Sequence, residues 1–484
     1  MKESKNPAAR SPLEVPPEEM RRLGYEAVDL IVDRWANLGE EPAWQFGTRQ
    51  ELEPLLSGPP PEEGQDPRVV LQRVVEDVLP KAGRIDHPRF FAFIPSSPTW
   101  PSVLGDILAT GFNIFQGTWL ESSGPSQLEL VVLEWFRDWL GFPEEGGGIL
   151  TSGGSAANLV ALVTAREWAG NPPNPVLYVS DQGHSSLERA ARIMGVPPEN
   201  VRKIPTDETF RIDVALLKDL VVEDRAAGMD PLAVCANAGA TNTGAIDPMD
   251  AIAHVAREEN LWFHVDAAYG GFAVLVPGEG EALRGIEEAD SVTLDPHKWL
   301  FQPYETGCLV VRNTRLLEEA FRILPEYLQD TALGKEQVNF ADRGIQLSRG
   351  FRALKIWMSI QTLGLRAFRE AIQTGIDYAR EAEKYINRSP ALEMMGPSSL
   401  GIVCFRFRQP NDDRTPEALE ELNLGIQAEI VDSGVAAMSS TRLRGEFSLR
   451  LSILNYRSTW QDVQETLEAI EAIGHRLATN GSDA

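Results

Sequence analysis

Cysteine and histidine are scarce in this chain, with 3 and 6 among its 484 residues. Cys235, Cys308 and Cys404 are odd in number and far apart, which predicts reduced thiols and argues against a disulfide framework or a zinc cluster. The sequence also has no apolar run near the roughly 20 residues that a membrane span requires. Its first twenty residues are polar and proline-rich, without the apolar core of a signal peptide. We therefore expect a cytoplasmic protein with no bound metal.

Positive charge is also in short supply. Lys and Arg number 45 against 71 Asp and Glu, which gives a formal net charge of −26. Such a surface repels nucleic acids and anionic membranes, so we expect neither as a partner. The hydrophobic content of 43% is nevertheless ample for a large core, and the length predicts more than one domain.

From about residue 145 onward, short apolar runs alternate with longer helical patterns. This alternation predicts βαβ units and a mostly parallel sheet, whose ligands bind where the carboxyl ends of strands turn into loops. Near the end of the chain, two strand patterns and a closing helical pattern predict a smaller α+β domain. The strands that we predict lie at 146–152, 175–180, 231–239, 261–268, 291–295, 306–312, 401–407 and 447–454.

Three of these strand ends carry residues suited to binding. In ILTSGGSAANLVAL, Gly153, Gly154 and Ser155 lie between a strand and a helix, where backbone N–H groups and the helix N-terminus can bind an anion. An ordinary glycine-rich turn is the structural alternative. Asp266 leaves an apolar strand in HVDAAYGG, where a carboxylate needs a cationic or N–H partner, and small Ala268 would let a flat ring approach the backbone. A helix N-cap is the alternative for Asp266.

The third strand end is SVTLDPHKWL, with Lys298 between apolar neighbours. Leu294, Trp299 and Leu300 disfavour the ammonium form, and a neutral amine is a nucleophile toward aldehydes. A surface lysine whose stem covers apolar groups is the alternative. An anion cradle, a carboxylate and an amine in one sheet match the phosphate, ring nitrogen and aldehyde of pyridoxal phosphate. His184 follows another strand end and could stack on the ring, or be a structural histidine.

Six motifs occur in order: HPRFFAF, TSGGSAANLVAL, SDQGHSSLERA, WFHVDAAYGG, DPHKWL and FRALKIW. On these residues the chain resembles the group II pyridoxal-phosphate-dependent decarboxylases, nearest the aromatic-L-amino-acid decarboxylase branch, from about residue 20 to 470. The resemblance implies the α/β fold-type I architecture and a homodimer with active sites at the interface. It implies a helical dimer-wrapping segment over 1–85, a large cofactor domain over 86–360 and a small α+β domain over 361–484.

The resemblance also implies roles for single residues. Lys298 would bind the cofactor aldehyde, Asp266 would keep the ring nitrogen protonated, His184 and Ala268 would cover the two ring faces, and Thr241 would lie near the ring hydroxyl. Asp295 stands where the animal enzymes carry Asn, and because a carboxylate beside a phosphate is unfavourable, we expect it to turn away and organise the loop. The positions implied to bind or support the phosphate are Gly154, Ser155, Ser291, Asp295 and His297.

Two further segments bear on the reaction and the substrate. Residues 323–344 resemble the mobile catalytic loop that reaches the partner's site, and Tyr327 occupies the position of the tyrosine that protonates the substrate α-carbon. The aromatic-rich segment 87–101 resembles the lining of the substrate pocket, although part of it suits a dimer interface equally. Gly117, where the aromatic branch usually has Phe, suggests a roomier pocket, and Glu121 nearby is unexpected. The substrate-pocket residues that we expect are Phe93, Ile94, Ser96, Trp100 and Gly117.

The expected function is decarboxylation of an L-amino acid, foremost tryptophan, tyrosine, phenylalanine or dopa, to the amine and carbon dioxide. The expected catalytic residues are Lys298, Tyr327, His184 and Asp266. One alternative is an acidic or basic substrate such as glutamate, aspartate or diaminobutyrate, for which Glu121 is the only charged hint. Another is an aromatic aldehyde synthase, which typically carries Phe at the position of Tyr327. A dimeric scaffold without activity is disfavoured because the cofactor residues are retained together.

Overall fold

The computed structural model of the protein describes residues 11, 13–95, 97–323, 334 and 336–480. Within these ranges, no helix is both long and apolar enough to cross a membrane. The helices are α1 Pro17–Asn37, α2 Arg49–Leu56, α3 Pro67–Arg73, α4 Trp100–Gly111, α5 Ser123–Trp139, α6 Gly154–Trp168, α7 Ser185–Ile193, α8 Val214–Ala226, α9 Met249–Glu258, α10 Arg315–Phe321, α11 Ala353–Arg388, α12 Pro416–Asp432 and α13 Trp460–Asn480. The strands are β1 Phe90–Phe91, β2 Gly147–Thr151, β3 Pro175–Ser180, β4 Val201–Ile204, β5 Asp230–Asn237, β6 Trp262–Asp266, β7 Ser291–Leu294, β8 Gly307–Val311, β9 Leu392–Met394, β10 Ile402–Phe407, β11 Ala437–Leu443 and β12 Glu446–Ser452.

A seven-stranded sheet forms the centre of the larger part of the molecule, in the order β2-β8-β7-β6-β5-β3-β4. The pairs β7-β6, β6-β5, β5-β3 and β3-β4 are parallel, whereas β8 runs antiparallel to both of its neighbours. All residues of β3, β6 and β7 are buried, as expected of parallel strands covered on both faces. The mostly parallel sheet that the sequence predicts is therefore confirmed.

A second sheet of five strands has the order β1-β11-β12-β10-β9. Its first strand, β1, pairs in parallel with β11, so two residues of the predicted cofactor domain join the smaller sheet instead. The long helix α11 connects the two parts and is interrupted at Gly364, whose φ of 75° is non-helical. The domain limits 1–85, 86–360 and 361–484 stay a prediction, and the chain crosses between the two sheets at β1 and at α11.

All three cysteines are free thiols within strands: Cys235 in β5, Cys308 in β8 and Cys404 in β10. Burial raises the pKa of each thiol, to about 12 for Cys404. A thiol with a raised pKa carries little thiolate at neutral pH and is a weak nucleophile. These side chains therefore serve as small apolar core residues.

The amino end of β8 packs directly on the turn that follows β2. A Cβ atom placed on Gly307 would lie 2.4 Å from the Cα atom of Gly153, which leaves no space for a side chain. We predict that Gly307→Ala lowers the free energy of unfolding by about 1–3 kcal/mol, because backbone has to move to admit the methyl group. Denaturant unfolding of both proteins measures this difference.

The matched control is Gly124→Ala in α5. A Cβ atom on Gly124 would meet no atom within 4 Å, so alanine should be neutral or slightly stabilising there. Equal unfolding free energies for Gly307→Ala and the wild type would show that the contact between β8 and the turn is not tight.

Candidate active site

A cavity of about 300 Å³ opens at the carboxyl edge of the large sheet, between the ends of β2, β3, β5, β6 and β7. Residues from five separate segments meet there, although they are up to 146 positions apart, between Ser152 and Lys298. Every predicted cofactor-binding residue except Ser291 lines this cavity. Those residues are Gly154, Ser155, His184, Thr241, Asp266, Ala268, Asp295, His297 and Lys298.

The glycine-rich turn opens α6 at one side of the cavity. Helix α6 begins at Gly154, so the first N–H groups of the helix face the cavity end and have no intrahelical acceptor. A Cβ atom on Gly154 would lie 3.0 Å from Asp295 Oδ2 and 3.2 Å from Ala268 Cβ, so a larger residue would not fit without a shift of these neighbours. The turn therefore has the donors, the helix dipole and the close approach that a phosphate site requires.

Lys298 and Asp295 form an ion pair inside the cavity. Lys298 Nζ lies 3.1 Å from Asp295 Oδ2, and the Asp295 side chain is only 3% exposed. The backbone N–H of Lys298 donates to the Asp295 carbonyl at 2.8 Å, and this tight turn brings the two side chains together. The expectation that Asp295 turns away is therefore wrong, and Lys298 pairs with this carboxylate while Trp299 and Leu300 enter the core.

His297 lies beside this pair. Its Nε2 atom is 3.7 Å from Asp295 Oδ2, and the backbone N–H of Thr306 donates to its Nδ1 atom at 3.3 Å. Burial is the main cause that lowers the pKa of His297, with Lys298 acting in the same direction and Asp295 opposing. The imidazole is therefore neutral at pH 7, with its proton on Nε2, where it can donate a hydrogen bond to an anion in the cradle.

Asp266 ends β6 and is 7% exposed at the base of the cavity. Asn158 Nδ2 donates to its Oδ2 atom at 2.8 Å, and the backbone N–H of Ala268 donates to its Oδ1 atom at 3.2 Å. The N-cap alternative does not hold, because the chain continues from Asp266 into a 3₁₀ turn that begins at Gly270. Asp266 is thus a buried acceptor with an open side toward the cavity.

His184 and Thr241 complete the lining from the ends of β3 and β5. His184 caps α7, and its Nδ1 atom accepts from the backbone N–H of Ser186 at 3.2 Å and lies 2.7 Å from the Ser186 hydroxyl. The carbonyl of Thr241 accepts from Arg450 Nη2 at 2.7 Å, which ties this loop to the smaller sheet. Both predicted positions therefore face the cavity and are held by neighbouring residues.

Ser291 is the one predicted cofactor-binding residue that does not reach the cavity, and this prediction is wrong. It begins β7, whereas the cavity lies at the other end of that strand. Its hydroxyl is fully buried and lies 2.8 Å from both Trp262 Nε1 and His264 Nδ1. Its influence on the site can only be indirect.

Sequence reasoning missed Asn158 and His264. Asn158 lines the cavity and contacts Asp266, while His264 Nε2 lies 3.0 Å from Asn158 Oδ1. A signal for Asn158 was available, because it is the polar residue within AANLVAL and lies four positions after Gly154 on the same helix face. A comparable signal for His264 was absent, because it lies inside a predicted strand that is otherwise apolar.

Of the expected substrate-pocket residues, the four that the structure describes do not line this cavity. Phe93 has a φ of 54° and is 62% exposed, with its N–H donating to Ser439 Oγ at 3.2 Å. Ile94 packs against the core of the large part, and Trp100 begins α4 with its ring 5.7 Å from that of Trp35. Ser96 and Tyr327 lie outside the described residues.

Gly117 and Glu121 do not line the cavity. A Cβ atom on Gly117 would lie 2.4 Å from Phe115 Cζ and 2.5 Å from the Leu347 carbonyl, so the expected extra room is already filled. Glu121 is exposed, accepts from Thr118 Oγ1 at 2.9 Å and does not line the cavity. In the part of the chain that the structure describes, no cluster of His, Cys, Asp and Glu could hold a metal ion.

The chain was compared with known proteins. Residues 50–408 match the family described as pyridoxal-dependent decarboxylase conserved domain. The aromatic-L-amino-acid decarboxylase of Bacillus atrophaeus is 40% identical over 469 residues, 96% of this chain and 98% of that protein. A phenylacetaldehyde synthase from a Rosa hybrid cultivar is 32% identical over 481 residues, 94% of this chain and 95% of that protein. The crystal structure of the Oryza sativa TDC with PLP and tryptamine has a TM-score of 0.91 and 30% identity, covering 97% of this chain and 100% of that chain.

The cavity fits pyridoxal phosphate on its own geometry. The start of α6 and the Nε2–H of His297 offer donors to a phosphate, Asp266 offers an acceptor to a protonated ring nitrogen, and Lys298 offers an amine to an aldehyde. The predicted cofactor and the predicted fold-type I architecture are both confirmed by the comparisons. The chain belongs to the group II pyridoxal-phosphate-dependent decarboxylase family.

Proposed function

We propose that this protein decarboxylates an aromatic L-amino acid to the corresponding amine and carbon dioxide. The observation that carries the proposal is the meeting of Lys298, Asp266, His184 and the glycine-rich start of α6 in one cavity of about 300 Å³. An amine, a ring-nitrogen acceptor, a flat imidazole and an anion cradle together suit a single phosphorylated pyridine aldehyde.

Each residue of the cavity is assigned to one part of the cofactor. Bound pyridoxal phosphate supplies an electron sink that accepts the electron pair of the bond to the departing carboxylate. Lys298 would bind its aldehyde, and Asp266 would accept a hydrogen bond from the protonated ring nitrogen. His184 and Ala268 would cover the ring faces, and Thr241 would lie near the ring hydroxyl. Gly154, Ser155 and His297 would hold the phosphate, with Asp295 beside them.

Asp295 has a proposed role that follows from its ion pair. Its Oδ1 atom is buried and lacks a hydrogen-bond partner among the described residues, while Oδ2 pairs with Lys298. An unpaired buried carboxylate would be costly, so Lys298 and Asp295 stabilise each other at the cavity wall. The ion pair keeps the amine inside the cavity, where the aldehyde has to reach it.

An aromatic substrate is favoured over an acidic one. Among the described residues that line the cavity, Lys298 is the only Lys or Arg, so an acidic side chain would find no second cation there. Glu121, the only hint of a partner for a basic side chain, does not line the cavity. The relatives named above, an aromatic-L-amino-acid decarboxylase and a TDC solved with tryptamine, support an aromatic substrate.

A homodimer with active sites at the interface is part of the proposal. Large apolar side chains are exposed on the N-terminal helices, on α4 and near Phe93, and such surfaces commonly mark interfaces. If these surfaces form the dimer interface, Phe93 and Trp100 of one chain would line the substrate pocket of its partner, although they lie outside the cavity of their own chain. A cytoplasmic location remains a prediction. The exposed apolar residues are Tyr25, Val32, Leu55, Val70, Phe93, Ile107 and Phe112.

Replacing Lys298 tests the covalent role. Lys298→Arg keeps the positive charge beside Asp295 but cannot condense with an aldehyde, so we expect turnover to fall by at least about 10³-fold, as when an enzyme loses its nucleophile. Borohydride reduction followed by intact-mass measurement should add the cofactor mass to the wild type and to Lys218→Ala, a surface lysine control. A cofactor adduct on Lys298→Arg would rule out this assignment.

Mixed dimers test whether Phe93 serves the partner's site. We expect Phe93→Ala to raise KM for aromatic substrates, because the site loses a ring that packs on the substrate. A dimer of one Lys298→Arg chain and one Phe93→Ala chain would then contain one doubly defective site and one intact site. Tagged mixed dimers should therefore regain about half of wild-type activity, the share of one site in two. Mixed dimers no more active than either parent would place Phe93 in its own chain's site.

An aromatic aldehyde synthase is the second candidate, because a phenylacetaldehyde synthase is among the relatives. Tyr327, which lies outside the described residues, separates the two proposals. A phenol over the α-carbon delivers a proton after carbon dioxide leaves, and general acids of this kind contribute roughly 10²–10⁴-fold. Without that proton, dioxygen can oxidise the α-carbon, which gives aldehyde, ammonia and hydrogen peroxide.

We therefore predict that Tyr327→Phe reduces amine formation by about 10²-fold and releases aldehyde and peroxide under air. Phenylalanine, tyrosine, dopa and tryptophan serve as substrates, with glutamate and diaminobutyrate as controls for the non-aromatic alternatives. Amine production at the wild-type rate by the variant would exclude Tyr327 as the acid. Aldehyde as the main product of the wild type would establish the synthase instead.

A further inference from the structure

The side-chain amide of Asn158 is buried and uses all of its hydrogen-bond donor and acceptor positions. It lies on the cavity side of α6 and is 1% exposed. Its Nδ2 atom donates to Asp266 Oδ2 at 2.8 Å and to Ser186 Oγ at 2.8 Å. Its Oδ1 atom lies 2.6 Å from Thr293 Oγ1 and 3.0 Å from His264 Nε2. An amide has two N–H donors and two lone pairs, so its capacity is fully used.

The orientation of this amide follows from its neighbours. The ionised carboxylate of Asp266 can only accept hydrogen bonds, so the NH₂ group of Asn158 has to face it. The amide oxygen then faces Thr293 and His264, which both have to act as donors. His264 therefore carries its proton on Nε2, the atom that faces Asn158.

The contacts of the other ring nitrogen of His264, Nδ1, agree with this assignment. The indole N–H of Trp262 donates to Ser291 Oγ at 2.8 Å, so the Ser291 hydroxyl is free to donate to His264 Nδ1, also at 2.8 Å. Full burial lowers the pKa of His264 well below its usual range, only partly opposed by Asp266, so the ring is neutral and Nδ1 can accept. Each donor in this chain thus meets one acceptor, from Trp262 to Asp266.

A second branch leads from Asn158 to His184. Ser186 accepts from Asn158, and its hydroxyl lies 2.7 Å from His184 Nδ1, which already accepts from the Ser186 backbone N–H. The hydroxyl is therefore the donor in this contact. One amide thereby holds the carboxylate at the edge of the cavity and, through one serine, the imidazole at its face.

We propose that Asn158 is a positioning residue for the cofactor ring: its amide, oriented by Thr293 and His264, fixes the Asp266 carboxylate and, through Ser186, the His184 imidazole. The inference rests on the proposed contacts of Asp266 with the ring nitrogen and of His184 with the ring face. The new element is that residues which do not contact the ring determine the orientation of the Asp266 carboxylate. Such supporting hydrogen bonds commonly decide how well a binding residue performs.

The test compares two ligands that differ at one ring atom. Pyridoxal phosphate has the ring nitrogen, whereas 1-deazapyridoxal phosphate has a C–H in its place and gains nothing from Asp266. Asn158→Ala should weaken equilibrium binding of pyridoxal phosphate to the full-length apoprotein by at least about 10-fold more than binding of the analogue, because a hydrogen bond to a charged group is lost. Absorbance titration gives both dissociation constants without any turnover.

Asn423→Ala is the matched control. Asn423 is also 1% exposed, and its amide makes three hydrogen bonds, to the Phe407 backbone N–H and carbonyl and to the Leu419 carbonyl, but it lies in the smaller part of the molecule. Its loss should change both affinities by the same factor or leave them unchanged. If Asn158→Ala behaves in this way too, its role is structural and the proposal is wrong.

His264 variants supply a second, independent arm should Asn158→Ala fold poorly. His264→Leu removes the donor to Asn158 and should reduce the preference for pyridoxal phosphate by roughly 3- to 10-fold. His264→Gln keeps an N–H near the Nε2 position and should restore the preference. Equal preferences in the two His264 variants would show that the hydrogen bond from His264 to Asn158 does not influence cofactor binding.

Asp266→Asn separates the positioning role of Asn158 from the proposed contact of Asp266 with the ring nitrogen. If Asp266→Asn leaves the preference for pyridoxal phosphate intact, the proposed contact with the ring nitrogen is wrong. If Asp266→Asn abolishes the preference while the Asn158 and His264 variants do not, only the positioning role of Asn158 is wrong.

Discussion

Two carboxylates, Asp266 and Asp295, are buried at the ends of adjacent strands, and a buried charge is tolerated only where donors or an opposite charge meet it. Asp266 is met by N–H groups of Asn158 and Ala268, and Asp295 is met by the ammonium of Lys298. These partners come from α6 and from the turns after β6 and β7. The pairing therefore ties α6 and the turn after β7 to the two strand ends, and the cavity lies between these two elements.

Small residues make this pairing possible. The backbone at Gly154 lies so close to Asp295 and Ala268 that a Cβ atom there would already be in tight contact with both. On the other side, Gly307 in β8 abuts the backbone of Gly153. Because Gly153 and Gly154 carry no side chains, the backbone N–H groups at the start of α6 are open to this corner of the cavity. An anion therefore meets fixed dipoles that need no rearrangement to bind it.

Much of the fold followed from the sequence, because apolar runs of strand length and helical periodicity are local signals. The limits of β3 were predicted to the residue, and the strand-end residues Asp266 and Lys298 do meet. Local signals failed where the outcome depended on direction. Ser291 lies in the predicted strand but at the end away from the cavity, and Asp295 faces the cavity, where its Oδ2 atom pairs with Lys298. The role of Asn158 required knowing which strand its helix face would cover.

The same geometry separates the chemistry from the choice of substrate. The groups that suit the cofactor come from the strand ends of a single chain, and they fill the wall of a cavity of about 300 Å³. Phe93 lies outside that cavity and is exposed, and in the proposed homodimer it would reach the partner's site. Relatives matched over nearly the whole chain include both a decarboxylase and an aldehyde synthase. We infer that the reaction outcome can change through residues outside the cavity, because the strand ends that hold the cofactor need not move when those residues are replaced.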